Sequence, residues 1–506
     1  MVACTAMRAA AWILPALGAL LFAAAFLGDG LGRLGDGLLW GPPRPWAHRD
    51  LLGGWWVWWA AAQPEGLAAW LQRLRWPEGE GPLAAAVPNP FDLLLLARAV
   101  GPPAPLAWNL HQFGIWAGNA AATAVLARAL GAGPLVSLGA ASLWLGSPLS
   151  LFEVQGGRTL SGLVWPGLLG LAAAARGRGG LAGALLAGQT LCYLYTGAAF
   201  WAAAVLAYPQ RGLLPGLLAL GAYAAWLGPA AAALRGGAPP AGYTTGTLAG
   251  LVGLEPELVR FRVHPAVAAA LLLGLARGPR RLAALALGAA AVSLGPAWAP
   301  TVGGAGAPAP WAFFWSLPGW DRMHHPLRML FFAGPVALAV GAAALPARLA
   351  PVVGGAALVL AWSSRAVVTD VPAFAADRSP PGAGAARWLS RAPGAGAVLD
   401  LTDRGDAALG LQPLHRRPLV EGLRRPTAGG RGGRAGAARA AADAFLRGGP
   451  PAPLREALHA AGVTHVLVVD RGGPPVDDAR LHAALGPPIV PGVYAVPPPR
   501  PGASSP

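Results

Sequence analysis

The sequence predicts a mainly α-helical, polytopic membrane protein of about eleven transmembrane helices, with interfacial helices in its first outer loop and a small extracytoplasmic α/β domain at its C-terminus. Three observations carry this. Of 506 residues, 55% are hydrophobic and only 12% are charged, whereas a soluble domain carries roughly a quarter charged residues. The mean hydropathy is +0.48. The apolar residues also gather into segments close to the ~20 residues that a bilayer span requires. High hydrophobicity with sparse charge excludes a disordered chain and argues against an ordinary soluble enzyme. All 38 basic residues are Arg, which reads as a base-composition bias. Cys4 and Cys192 lie far apart in or beside apolar segments and point to neither a disulfide framework nor a metal site.

The first span is Ala9–Gly28. Arg8 precedes it as in a signal peptide, but its length and the internal Pro15 favour a retained span with a cytoplasmic N-terminus. Further apolar segments follow at 106–127, 135–152, 160–175, 181–195, 197–208, 213–234, 264–276, 282–298, 329–345 and 350–367. The short pair 181–195 and 197–208 could be one helix, and charge placement decides between the two. With eleven spans, Arg8, Arg128, Arg176, Arg178, Arg211, Arg277, Arg280, Arg281 and Arg348 fall on the cytoplasmic side without an acid, and all eleven acids before residue 368 fall on the other. The positive-inside rule asks for this bias. A merged span would move Arg277, Arg280 and Arg281 outside. Sorted this way, the net charge of +16 is a topology signal. With no compact basic, aromatic-interleaved groove, nucleic-acid binding is excluded.

The chain therefore divides into a transmembrane domain, residues 1–367, and a small extracytoplasmic domain, residues 368–506. The transmembrane domain includes a long first outer loop at 29–105, and shorter outer loops lie near 153–159, 235–263 and 299–327. In the C-terminal domain, strand patterns at Val398–Leu401, Val463–Val469 and Pro491–Val496 alternate with helix patterns at Pro453–Ala461 and Ala479–Leu485. The Gly/Arg/Ala-rich stretch Thr427–Ala442 reads as a mobile loop or a poorly ordered helix. The first outer loop holds Trp55-Trp56-Val57-Trp58-Trp59 with Trp46, Trp70 and Trp76 nearby. Trp favours the membrane–water interface, so helices lying flat on the outer leaflet are expected, with Leu93–Leu96 a further such piece.

Candidate chemistry lies on the outer side. Asp50, preceded by His48 and Arg49, sits before the Trp run, where a carboxylate shielded from bulk water can act as a general base; the plain alternative is a helix N-cap. Glu153 lies in the tight turn with Gln155 and Arg158, and either pairs with Arg158 or faces a cavity shared with Asp50. Asn109, Gln112, Trp116, Asn119 and Thr123 form one helical stripe. Polar side chains in a span face the bundle interior or a wet cavity, or serve as interhelical hydrogen bonds. His324, His325 and Arg328 close an aromatic outer loop, and an Arg there suits a phosphate oxyanion. Two adjacent His with no third ligand make a weak metal site. Glu78 and Tyr243, in outer loops, complete the set of candidate substrate-binding residues.

Several of these segments resemble known motifs. Trp76-Pro77-Glu78-Gly79 is similar to an aromatic-Pro-x-Gly element. Leu317-Pro318-Gly319-Trp320 followed by His325-Pro326-Leu327-Arg328 is similar to an "LPG-aromatic … R-P-x-R" element, and Pro418-Leu419-Val420-Glu421-Gly422 to a recurring "P-L-V-x-G" turn. In this order along the chain they resemble the GT-C superfamily of polyprenyl-phosphate-dependent membrane glycosyltransferases, and within it the YfhO-like bacterial membrane proteins. The resemblance implies a multi-pass protein of the bacterial plasma membrane that transfers a sugar from a polyprenyl-phosphate-linked donor to an envelope glycan, lipid or protein. It implies Asp50 as the base of an inverting single displacement, Glu153 positioning donor or acceptor, and Arg328 or Arg158 balancing phosphate charge. It makes no cofactor obligatory and leaves room for a divalent cation. Two departures are visible: the turn reads Glu153-Val154-Gln155 where a second acid is expected, and His325 stands where Arg is expected. The alternatives are a non-catalytic protein of the same fold that binds a lipid-linked glycan or scaffolds an envelope complex, and a transporter or flippase. The absence of a clear internal repeat disfavours transport.

Overall fold

The computed structural model describes residues 2–28, 49–74, 77, 100–101, 105–155, 159–209, 214, 217–218, 221, 264–298, 307–310, 312–313, 325–364, 382–394, 396–402, 407–421, 433–470 and 476–498. They divide into two compact units: residues 1–34, 108–229 and 238–373 form the first, and residues 35–107, 230–237 and 374–506 the second. The first outer loop thus groups with the C-terminal region, whereas the composition boundary at 367/368 leaves it with the bundle.

The first unit is a bundle built on Val2–Leu27, Pro105–Ala129, Pro134–Leu145, Pro148–Gln155, Trp165–Ala175, Gly179–Cys192, Leu194–Ala207, Ala266–Arg277, Arg280–Ser293, Leu330–Ala344 and Ala350–Ser363. Pro134, Pro166 and Pro351 occupy the first or second helical position, where a missing N–H costs nothing. Every residue from Leu330 to Ala342 is buried, so this helix, apolar on all sides, forms the bundle core. Ala350–Ser363 instead turns Val352 (72% exposed) and Val359 (69% exposed) outward, as a lipid-facing helix does. Small residues bring backbones together: a Cβ on Gly139 would lie 2.9 Å from that of Ala357. A short hairpin pairs β1 (Ala297–Trp298) antiparallel with β2 (Ala307–Pro308).

Among the described residues, one helix, Pro326–Ala344 with 19 residues, is long and apolar enough to cross a membrane by length and composition; six other apolar helices have 10–17 residues. The predicted segments carry helices, but several are shorter or divided. Segment 135–152 breaks at Gly146-Ser147, where Ser147 Oγ donates to Leu143 O (3.0 Å) and accepts from His264 N (3.1 Å). Segment 181–208 is two helices, with Tyr193 extended between them at φ −153° and ψ 112°. A Cβ on Gly197 would stand 2.5 Å from Thr190 Cα, so only glycine lets the second helix fold back on the first. Segment 213–234 lies almost wholly outside the described residues.

The second unit holds a three-stranded sheet in which β3 (Ala397–Asp400) runs parallel to β4 (Val463–Leu467), and β5 (Val493–Ala495) antiparallel to β4. The crossover from β3 to β4 includes helices Ala407–His415, Gly433–Leu446 and Pro451–Ala460. Gly433–Leu446 corrects the expectation of a loop or poorly ordered helix at Thr427–Ala442: Ala435, Ala438, Ala442 and Phe445 recur at helical spacing and bury themselves in the sheet's core. Asp477 caps the following helix, its Oδ1 accepting from Ala479 N (2.9 Å) and Arg480 N (3.3 Å).

The tryptophan run also needs correction. It forms helix Arg49–Ala61, followed by Gly66–Leu71, but Trp56, Trp58 and Trp70 are buried rather than spread at a membrane surface. Trp56 Nε1 donates to Gln412 Oε1 (2.7 Å), Trp58 Nε1 donates to Gly101 O (3.0 Å), and Leu419 N donates to Arg73 O (2.7 Å). Trp56 and Trp58 are core anchors of the second unit, because their indole N–H groups find partners inside it. Leu93–Leu96 lies outside the described residues.

His415 ends the helix beneath this contact. Its Nδ1 accepts from Arg417 N (3.0 Å), and burial, reinforced by the Arg417 charge, pushes its pKa down to about 3. The unfolded chain takes up this proton near the ordinary value of 6.5 and the folded chain does not. Stability is therefore full above pH 6.5 and falls as pH drops towards 3, by about 1.4 kcal/mol per pH unit from this group. Thermal unfolding of His415→Gln is expected to show a shallower loss between pH 6.5 and 4 than wild type; equal slopes would remove His415 from the account.

Candidate functional site

Among the described residues of the first unit, Glu153 is a fully buried acid. It stands near the end of helix Pro148–Gln155, and the next chain turn brings Ser161 and Gly162 against it. Arg328 approaches from the 3-10 turn Pro326–Met329, which leads into the buried helix Leu330–Ala344. Its Nε donates to Glu153 Oε1 (2.7 Å) and its Nη2 to Glu153 Oε2 (3.2 Å). Ser161 Oγ donates to the same Oε2 (2.7 Å), and Arg328 Nη1 donates to Tyr193 OH (3.1 Å). The Arg328 guanidinium also lies 5.3 Å from the Tyr193 ring centroid. A Cβ on Gly162 would be 2.9 Å from that of Glu153, so glycine is needed for Ser161 to reach the carboxylate.

The surrounding backbone is fixed by two buried amides. Asn119 Nδ2 donates to Gly162 O (2.7 Å), while its Oδ1 accepts from Val164 N (3.0 Å) and Trp165 N (2.9 Å). Gln189 Nε2 donates to Leu163 O (2.9 Å) and Thr196 Oγ1 (3.1 Å), and its Oε1 accepts from Gly167 N (3.1 Å). Both amides thus cap the otherwise unsatisfied N–H groups at the start of helix Trp165–Ala175. Trp116 Nε1 donates to Ser150 Oγ (2.9 Å) and ties the helix that carries Glu153 to the long helix Pro105–Ala129.

The chemistry follows from this arrangement. From described residues Glu153 accepts three hydrogen bonds, and it is neutralised by a two-pronged guanidinium, so it is a poor base and an anchor for Arg328. Arg328 has five N–H donors and spends three of them here, leaving two without a partner among the described residues, with its side chain 15% exposed. That is the geometry of an anion-directed guanidinium held in register from behind. A divalent cation does not fit Glu153, whose two oxygens are already engaged; among the described residues no three His, Cys, Asp or Glu side chains gather as a metal site.

The predicted residues fare unevenly. Glu153 and Arg328 come together as an ion pair. Asn109 and Gln112 are fully buried on their helix. His325 directly precedes the 3-10 turn and is half-buried. Arg49 and Asp50 form the first turn of helix Arg49–Ala61 in the second unit, with side chains outside the described residues, as is that of Gln155. His48, Glu78, Arg158, Tyr243 and His324 lie outside the described residues. Sequence reasoning missed Ser161, Tyr193 and Gln189. A signal existed for Tyr193: the topology expected from the sequence puts the turn after 195 on the same side as Glu153 and Arg328.

No protein-family model matches the chain, and no curated protein matches it. Among solved structures, the mycobacterial arabinofuranosyltransferase AftD superposes with a TM-score of 0.51 at 18% identity over 89% of this chain. The chain spans only 36% of that protein's length. An Archaeoglobus fulgidus oligosaccharyltransferase, solved in complex with Zn and sulfate, gives a TM-score of 0.44 at 12% identity, covering 89% of this chain and 67% of that one. The likeness to the arabinofuranosyltransferase is one of fold.

Removing one partner of a buried ion pair leaves the other uncompensated. Glu153→Ala is expected to destabilise the purified protein by about 3–5 kcal/mol, whereas the apolar double variant Glu153→Leu/Arg328→Met restores most of that stability. Thermal unfolding in detergent checks this, and additive losses in the double variant would contradict a direct pair.

Proposed function

We propose that the chain is a membrane glycosyltransferase, of the YfhO-like kind, that acts at the extracytoplasmic face of the bacterial plasma membrane. It takes a sugar from a polyprenyl-phosphate donor and passes it to an envelope acceptor. The observation that carries this reading is Arg328: a cation built into the bundle, bound from behind by Glu153 and Tyr193, with two N–H groups left for an anion. The fold shared with the arabinofuranosyltransferase supports it, and in the eleven-span topology proposed from the Arg placement the Glu153 turn and Arg328 lie on one side of the membrane.

In the proposed reaction, Asp50 accepts the proton of an acceptor hydroxyl. The electron pair freed from that O–H bond forms the new bond to the anomeric carbon from the face opposite the leaving group. The anomeric C–O bond to phosphate breaks, and its electron pair leaves with the lipid phosphate. Arg328 balances the phosphate charge as it develops, and Glu153 keeps Arg328 aimed. The sugar is inverted in this single displacement.

A second reading has one observation in its favour: Glu153 is locked in an ion pair, and the turn Glu153-Val154-Gln155 offers no second acid. That arrangement suits a protein of the same fold that binds a lipid-linked glycan without turning it over.

Mass-spectrometric comparison of envelope glycans with and without the protein separates the readings, a missing glycosylation indicating the enzyme. Asp50→Ala is expected to lose at least about 100-fold in transfer, the scale of a general base, with folding intact. Undiminished turnover in that variant would remove Asp50 from the mechanism.

A further inference from the structure

The polar stripe of helix Pro105–Ala129 divides in two. In its C-terminal half the protein satisfies the side chains itself: Trp116 donates to Ser150, Asn119 makes three hydrogen bonds, and Thr123 Oγ1 donates to Asn119 O (2.8 Å). One turn nearer the N-terminus Gln112 differs. It is fully buried, yet among the described residues neither its Nε2 nor its Oε1 has a hydrogen-bond partner. Over nine-tenths of buried polar groups are paired in folded proteins, and each unpaired one costs about 1–3 kcal/mol. A Leu or Met at this position is expected to be more stable than the unpaired amide. That pattern marks a group kept for a ligand.

We propose that Gln112 recognises the sugar of the lipid-linked donor; this rests on the glycosyltransferase reading above. The amide chemistry selects the class. A primary amide is neutral and offers two N–H donors beside a carbonyl acceptor, which matches neighbouring ring hydroxyls that each donate and accept. No Arg lies on this stretch of helix to attract a second phosphate. Trp108, one turn further towards the N-terminus on the same face and also fully buried, supplies the aromatic surface that the C–H face of a sugar ring prefers. Gln112 is seven residues, about 10 Å along the helix axis, from Asn119, whose side chain fixes Gly162 beside Glu153. The two halves of the stripe therefore have different roles: one holds the anion site in shape, and the other reads the sugar.

The test uses the full chain in lipid nanodiscs and reads thermal unfolding against two probes, bare decaprenyl phosphate and a panel of decaprenyl-phosphoryl hexoses and pentoses. Wild type is expected to be stabilised by the bare lipid phosphate and further by at least one sugar-bearing lipid. Gln112→Leu, and the near-isosteric Gln112→Met, should each unfold at a higher temperature than wild type without ligand. They should keep the response to bare lipid phosphate and lose the sugar increment, a fall of about tenfold or more in affinity for the sugar-bearing lipid. If either variant unfolds at a lower temperature and retains the increment, the amide is structural and the proposal is overturned. A wild type that binds bare lipid phosphate but responds to no sugar in the panel overturns the proposal alone. A wild type that responds to neither probe overturns the glycosyltransferase reading beneath it.

Discussion

The buried pair of Glu153 and Arg328 is the constraint around which the first unit is arranged. Two opposite charges placed among apolar helices persist only where the geometry is close and every remaining hydrogen-bonding group is occupied. The bundle meets the first condition fully and the second for the carboxylate, with pieces drawn from distant parts of the chain. Ser161 fills the second carboxylate oxygen, Gly162 leaves room for it, and Tyr193 steadies the far nitrogen of the guanidinium. Asn119 and Gln189 then hold the strand of backbone between Ser161 and Gly167 by capping the helix that follows it. The interruption of the helices at Tyr193 is part of the same arrangement, since the extended residue at the break is the one whose hydroxyl reaches Arg328.

This arrangement gives the two charges unequal parts. The carboxylate is enclosed and saturated, so its task is to hold. The guanidinium keeps two donors and some exposure, so it can face an anion. Glu153 is thus better understood as the support of Arg328 than as a reacting acid, which leaves the role of base to Asp50 in the proposed mechanism. The missing second acid of the turn is consistent with that division: a site neutralised by an internal cation has less need of a metal ion to offset phosphate charge.

Much of the bundle was legible in the sequence because hydrophobic segments and Arg placement are local signals. The separation of 181–208 into two helices came from the position of three Arg beyond it, not from any breaker residue within. Pairing was less legible. Glu153 and Arg328 each stood out as charges at span ends, but they are 175 residues apart, and nothing local announces that they pair. The tryptophan run misled because Trp is favoured both at membrane interfaces and in cores, and its partners, such as Gln412, lie more than 350 residues away. At Thr427–Ala442 the Gly and Arg content concealed an alanine spacing that buries one face of a helix. Gln112 was visible as part of a polar stripe; only the structure separates it from its satisfied neighbours.

The central claim is that Arg328, held by Glu153, receives the phosphate of a lipid-linked donor. Phosphorus NMR of decaprenyl phosphate in nanodiscs containing the purified protein addresses it without requiring turnover. A displaced resonance is expected with wild type and with Asp50→Ala, and its loss with Arg328→Gln. A displaced resonance that survives Arg328→Gln unchanged would place the phosphate elsewhere and contradict the account.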